Sequence, residues 1–363
     1  MLHQPFYDPT KSYDDNYESG PFGAFAASNA ADADGKKYIQ NGDPKFDYLG
    51  HKVYLPFGIP AGPLINNKFV TAAFKKGFDI CVYKTVRSDV YPCHPYPNIL
   101  SVDLKGDLTI ERMKQPLVAS VDYQEPLSIT NSFGVPSKKP EIWQKNVKEA
   151  LKAVGKGQLM ILSFMGTVRE GQTQKEFVED FALAAKQSLD TGAKVLEIDI
   201  SCPNVGSEGL VCYDLDTSKK ICAAVRAVIG DAPLVLKIGY FKSDVELEGF
   251  AKIAARYAQD IAAINTLGAK IVDKDGHQAL PGSPVRLIGG VCGTAIKWAG
   301  LQMVKRLVNI RKKIGASFTI TGVGGVTTPD DYFEYKKAGA DVVMSATGAM
   351  WNPYLAQEIK KVT

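Results

Sequence analysis

The chain has six cysteines, Cys81, Cys93, Cys202, Cys212, Cys222 and Cys292, and no two of them form a C-x-x-C pair or a zinc-type spacing. That argues against a disulfide framework, an iron–sulfur cluster and a metal site, and reads as reduced thiols in a cytoplasmic protein. No apolar run approaches the roughly 20 residues that a membrane helix needs. The polar, acidic start has no signal-peptide core. None of the four histidines falls in a strand-end motif that matches a cysteine, which argues against a Cys–His nucleophile pair. Charge is also thin: the net value is +4 with no long basic block. Nucleic acid is therefore not indicated, and a small anionic ligand is weakly favoured.

What is present is an ordinary globular composition, 45% hydrophobic and 23% charged over 363 residues. That length buries a large core and suits a single α/β barrel with insertions. Residues 1–48 are rich in Asp, Asn, Ala, Gly and Tyr without a period of 2 or 3.6. They read as an irregular leader, packed in part through Phe22, Phe25 and its tyrosines.

From residue 49 to 363, strand and helix signals alternate. Strands are expected at Val53–Ile59, Ile80–Tyr83, Leu159–Phe164, Val195–Ile200, Leu234–Leu236, Ile261–Ile264, Phe318–Thr321 and Asp341–Met344. Helices follow near 68–76, 141–154, 175–188, 217–228, 244–257, 295–314 and 329–338, with a last one closing the chain. Two long stretches interrupt the alternation. Arg87–Thr130 carries a hairpin signal at Lys105-Gly106-Asp107, and Ala269–Gly290 carries an Asp275-Gly276 turn signal. The pattern predicts a (β/α)8 TIM barrel with insertions after strands 2 and 6. A doubly wound open sheet is the alternative.

The polar and glycine-rich signals fall at expected strand C-termini, where barrels hold their chemistry. The stretch Glu197-Ile198-Asp199-Ile200-Ser201-Cys202-Pro203-Asn204 presents a thiol, an acid and an amide where a strand must stop at proline. A thiol with an ordinary pKa near ~8.5 can exchange a proton near neutrality, so Cys202 is the candidate base, with Cys212 second. Asn131, Asn204 and Asn265 come from three separate strand ends. Each amide offers a donor and an acceptor, which suits a heterocycle of alternating N–H and C=O groups. Asn131-Ser132-Phe133-Gly134 also offers backbone N–H groups suited to a carboxylate. Lys84 and Lys237 end two strands and can stabilise negative charge on a flat ring; a Schiff-base lysine is the competing reading of Lys237. Glycine-rich turns at Gly289–Gly293, Gly322–Gly325 and Ala346-Thr347-Gly348 suit a phosphate.

Taken together, these residues resemble the dihydroorotate dehydrogenase family, closest to its soluble, cysteine-using class. The matching pieces are Lys84-Thr85, Asn131–Pro136, Ser201–Val205, Lys237, Asn265-Thr266, Gly289–Lys297, Gly322–Val326 and Ala346-Thr347. The resemblance implies an FMN-containing barrel that oxidises (S)-dihydroorotate to orotate, with Cys202 taking the C5 proton and hydride passing to the flavin. It implies that Lys84, Asn131, Phe133, Gly134, Val135, Asp199, Asn204, Asn265 and Thr266 hold the substrate. It further implies FMN contacts at Ala61, Gly62, Lys84, Thr85, Asp199, Lys237 and Ile264. The remaining FMN contacts would be Gly290, Cys292, Gly293, Gly324, Gly325, Ala346 and Thr347. Fumarate as acceptor, a homodimer, and no membrane or nucleic-acid partner come with that class. The chain departs from the family at Asp199, where the family usually has Asn; an ionised carboxylate accepts but does not donate. Another dihydropyrimidine as substrate, or uridine in tRNA, are the alternatives. A non-catalytic barrel would leave the clustered polar strand ends unexplained.

Overall fold

Short β-branched runs that stop at a glycine, a proline or a polar residue form eight parallel strands. They are β1 Phe57–Ile59, β2 Ile80–Val86, β3 Leu159–Phe164, β4 Val195–Asp199, β5 Leu234–Ile238, β6 Asp260–Ala263, β7 Thr319–Val323 and β8 Val342–Met344. The computed structural model describes residues 2–26, 38–201, 210–282 and 286–363. Each strand bonds to the next, and β8 returns to β1 through Val343 opposite Phe57, so the sheet closes into a barrel. Helices between the strands cover its outside, as predicted for this fold.

Alternation along each strand sorts residues into two cores. Ile80, Val82, Ile161, Val195, Val235 and Ala262 fill the barrel interior. Cys81, Tyr83, Leu162, Leu196, Ile198 and Leu236 pack outward against the helices. Period two therefore places Glu197 and Asp199, flanked by outward-packing Leu196 and Ile198, on the inner face. Helix ends follow local chemistry. Thr173 and Thr328 each form a capping box, with Glu176 and Asp331 respectively. Gly339, at φ 102°, takes the left-handed turn that stops Pro329–Ala338.

Three features differ from the sequence reading. The first barrel strand begins at Phe57, because Val53 belongs to an antiparallel hairpin, Phe46–Tyr48 with His51–Val53. Tyr48 and Val53 from that hairpin join the barrel-interior core. Second, the leader is not wholly irregular: Tyr13–Ser19 is a helix, capped by Ser12 accepting from the Asp15 N–H. Seven residues are too few to show a period. Third, the two insertions are not separate. Ile99–Val102, Leu117–Ser120 and Ser128–Asn131 from the first join Leu267–Val272 and Ile288–Gly293 from the second in one five-stranded closed sheet. The hairpin signal at Lys105-Gly106-Asp107 lies in the connection between two strands that do pair antiparallel, Ser101 opposite Ser120. That connection runs from 103 to 116 and is no tight turn. Among the described residues, no helix is long and apolar enough to cross a membrane.

Candidate active site

The C-terminal ends of the barrel strands, the added sheet and the leader together surround a cavity of about 1030 Å³, its open mouth included. β1 ends in Pro60-Ala61-Gly62-Pro63, and all four residues line the cavity. A Cβ on Gly62, at φ 147°, would meet nothing within 4 Å, so the backbone here borders open space. β2 supplies Lys84 and Thr85, β4 Asp199, β5 Lys237, and the turn after β6 Ile264, Asn265 and Thr266. The added sheet and the loop after it supply Asn131, Phe133, Gly134, Val135 and Cys292, and the end of β8 supplies Ala346 and Thr347.

These side chains are held from behind. Lys237 Nζ lies 3.4 Å from Asp199 Oδ2 and donates to the Ala61 carbonyl at 3.2 Å. Asp199 Oδ1 accepts from the Ser201 N–H and hydroxyl at 3.1 and 2.9 Å, and Oδ2 accepts from Thr85 at 3.4 Å. Burial pushes the Asp199 pKa up, but Lys237, Ser201 and Lys84 outweigh it and hold the carboxyl below its usual range. Asp199 is thus ionised, with its charge met by a lysine. Asn265 donates from its amide to the Ser201 carbonyl at 3.0 Å, and Asn131 to the Gly290 carbonyl at 3.4 Å. Burial pushes the Cys292 thiol up, so it stays protonated.

A cation that the sequence reading left out organises one wall. Arg87 is buried just past β2. Its guanidinium donates to the carbonyls of Val135, Gly134 and Gly166 at 2.9, 3.0 and 3.0 Å and to the Thr167 hydroxyl at 3.1 Å. Gly134 and Val135 both have left-handed φ, 74° and 54°. For valine this is a strained conformation, and Arg87 fixes both of these carbonyls. The signal was an arginine following Lys84-Thr85-Val86 at a strand end. Tyr7 and Tyr13 of the leader also line the cavity; they lie too far away in sequence for any local pattern to reveal it.

Gly290, Gly293, Gly324 and Gly325 are not among the lining residues. They pack closely around the site. A Cβ at Gly290 would stand 2.5 Å from Thr266 Oγ1, and one at Gly293 2.3 Å from the Leu127 carbonyl. The Gly324 carbonyl accepts from Tyr335 at 2.7 Å, and a Cβ at Gly325 would press on Lys297. Cys202 and Asn204 lie outside the described residues. Cys212 is buried in a short 3-10 turn, and burial pushes its thiol up to about 12.

Comparison with known proteins points the same way. The family model for dihydroorotate dehydrogenase matches residues 113–362. The chain is 36% identical over 370 residues to a dihydroorotate dehydrogenase of Dictyostelium discoideum, with 98% of this chain and 97% of that protein aligned. It is also 30% and 33% identical to catalytic subunits of dihydroorotate dehydrogenase B (NAD(+)) from Maridesulfovibrio salexigens and Staphylococcus carnosus. Those two alignments span 59% and 56% of the bacterial subunits and about half of this chain, 51% and 50%. A relative aligned along 98% of the chain and a family match that takes in six of the eight barrel strands agree with what the strand ends present: the chain belongs to the dihydroorotate dehydrogenase family.

Proposed function

We propose that the protein oxidises (S)-dihydroorotate to orotate using bound FMN, with Cys202 as the base, as a cytoplasmic homodimer that passes its electrons to a small acceptor such as fumarate. The observation that carries this reading is the convergence of Lys84, Asn131, Asp199, Lys237 and Asn265, from five separate segments, on one cavity.

The residues fit a flavin nucleotide. The cavity is large enough for a cofactor beside a small ring. The Pro60–Pro63 wall is open at Gly62, giving a flat ring room to approach the backbone. The Thr266 hydroxyl is buried and has no hydrogen-bond partner among the described residues, which suits a polar ligand. FMN, when bound, supplies a hydride acceptor for substrate C6. Ala61, Gly62, Thr85 and Lys237 would border its ring, and Ala346 and Thr347, at the start of helix Thr347–Trp351, would lie toward its phosphate.

Asn131, Asn204 and Asn265 present amides to the alternating N–H and C=O edge of the pyrimidine. The Phe133–Val135 backbone and Lys84 receive the substrate carboxylate. Cys202 takes the C5 proton as the C6 hydride leaves, so one proton and two electrons depart from adjacent carbons and a C5=C6 double bond remains. Ser201, directly before Cys202, is fastened twice to Asp199 and once to Asn265, which sets where the base begins. Asp199 replaces the usual amide without presenting a free negative charge, because Lys237 sits against it.

The decisive measurement is the flavin absorption spectrum before and after anaerobic addition of dihydroorotate. The expected result is a yellow protein that bleaches; a colourless protein, or one that stays yellow, defeats the reading. Cys202→Ser should slow bleaching about 100- to 10,000-fold near neutral pH, and unchanged kinetics would remove Cys202 from its role.

A further inference from the structure

The leader reaches the cavity through Tyr7, and it is firmly held there. The Phe6 N–H donates to the Met350 carbonyl at 3.1 Å, and the Phe22 N–H to the Phe6 carbonyl at 2.9 Å. Asn16 accepts from the Asp8 N–H at 2.8 Å and donates to the Asp8 carbonyl at 2.9 Å, fixing the residue after Tyr7. Asn66, the cap of helix Asn67–Lys75, donates to the Tyr17 carbonyl at 2.7 Å. The Phe6 ring lies 4.4 Å from that of Phe25 and 6.1 Å from that of Phe69.

Tyr7 is 2% exposed, and its ring meets Phe133 edge-on with centroids 5.6 Å apart. Its hydroxyl is buried and has no hydrogen-bond partner among the described residues. Buried hydroxyls are ordinarily paired, because an unmade hydrogen bond is costly away from water. The residue lines the cavity, so a ligand can bring the missing partner. That partner is an acceptor, since burial pushes the Tyr7 pKa up and keeps the phenol protonated. Phe133 belongs to the same wall as Gly134 and Val135, whose carbonyls Arg87 holds, and the cationic Lys84 lines the same cavity.

We infer that Tyr7 is a substrate-binding residue whose hydroxyl donates a hydrogen bond to the ligand's carboxylate. The inference rests on the reading of the site as one for dihydroorotate and orotate. It adds to that reading a contact from outside the barrel: the leader completes the recognition of the acidic group. Tyr7 then separates orotate-type ligands from pyrimidines that lack the carboxylate.

The test is calorimetric binding of orotate and of uracil to the FMN-loaded full chain, wild type and Tyr7→Phe. The variant keeps the ring and loses only the hydroxyl. The expected result is orotate bound about tenfold or more weakly by the variant, with uracil affinity, flavin content and melting temperature unchanged. Unchanged orotate affinity in the variant overturns the assignment of Tyr7 and leaves the parent reading standing, as does equal weakening of both ligands. A wild-type protein that binds no orotate overturns the parent reading and this inference with it.

Discussion

The inner face of β4 carries two acids two residues apart, Glu197 and Asp199, and the barrel treats them in opposite ways. Asp199, at the cavity, has Lys237 at 3.4 Å and two hydrogen bonds from Ser201. Its pKa falls in spite of burial. Glu197 lies one step deeper, with one carboxylate oxygen unpartnered. Burial pushes its pKa up to about 7; Lys237 offsets this in part, and Asp199 adds to it. Asp260, at the start of β6, shares that fate at about 7: burial dominates, the Thr319 and Thr321 hydroxyls pull it down, and Asp341 and Glu197 push it up. Tyr48 reaches Thr321 in the same interior, with hydroxyls 3.1 Å apart. A lysine in direct contact decides whether a buried carboxyl is held low; hydroxyl hydrogen bonds alone, as at Asp260, do not offset burial. The mouth of the barrel is ionic, and the layer beneath it holds its acids up near a pKa of about 7.

The largest effect should come from removing the cation. Lys237→Met leaves Asp199 buried without its partner and should cost about 3–5 kcal/mol, read by urea denaturation at pH 7; wild-type stability would erase the contrast between the layers. Next comes Glu197→Gln. The folded pKa of Glu197, about 7, lies above its ordinary 4.5, so the folded state binds more protons and stability falls as pH rises between those values. The penalty reaches about 3 kcal/mol above that window. The variant should therefore be the more stable protein at pH 8 by up to that amount and show no gain below pH 4.5. Equal stability at both pH values would mean that Glu197 is not held neutral. Asp199 carries the opposite sign: its stabilisation is present above the ordinary carboxylate pKa and fades as pH drops through the lowered one. The smallest effect is expected at Tyr48→Phe, which removes one buried hydrogen bond and should cost about 1 kcal/mol in the same denaturation assay.

Much of the barrel was legible because its signals are local. Asp244–Tyr257 and Pro329–Ala338 run between the expected bounds, set by Ser243, Thr328 and Gly339. Lys84, Asn131, Asp199, Lys237 and Asn265 could be found because each stands within two residues of a strand's C-terminal end. What could not be read depends on distant partners. Nothing near Asn131 announces that it will sit opposite Gly290, so two insertions passed for separate loops. Val53 has the right character for a barrel strand and was claimed by a hairpin whose turn is set by Leu49-Gly50, both at positive φ. Tyr7 sits in a stretch without periodicity, and the ring packed against it is that of Phe133, far along the chain. Arg87 gave a visible sign, but its work is done through carbonyls, which leave no trace in side-chain chemistry.

The lining of the cavity starts at Tyr7 and finishes at Met350. No excised fragment of this polypeptide would bring a working pocket with it, and no half of the barrel could be transplanted as a ready-made module. Ligand affinity in this protein should accordingly switch on as a whole, when remote stretches of chain have closed on one another.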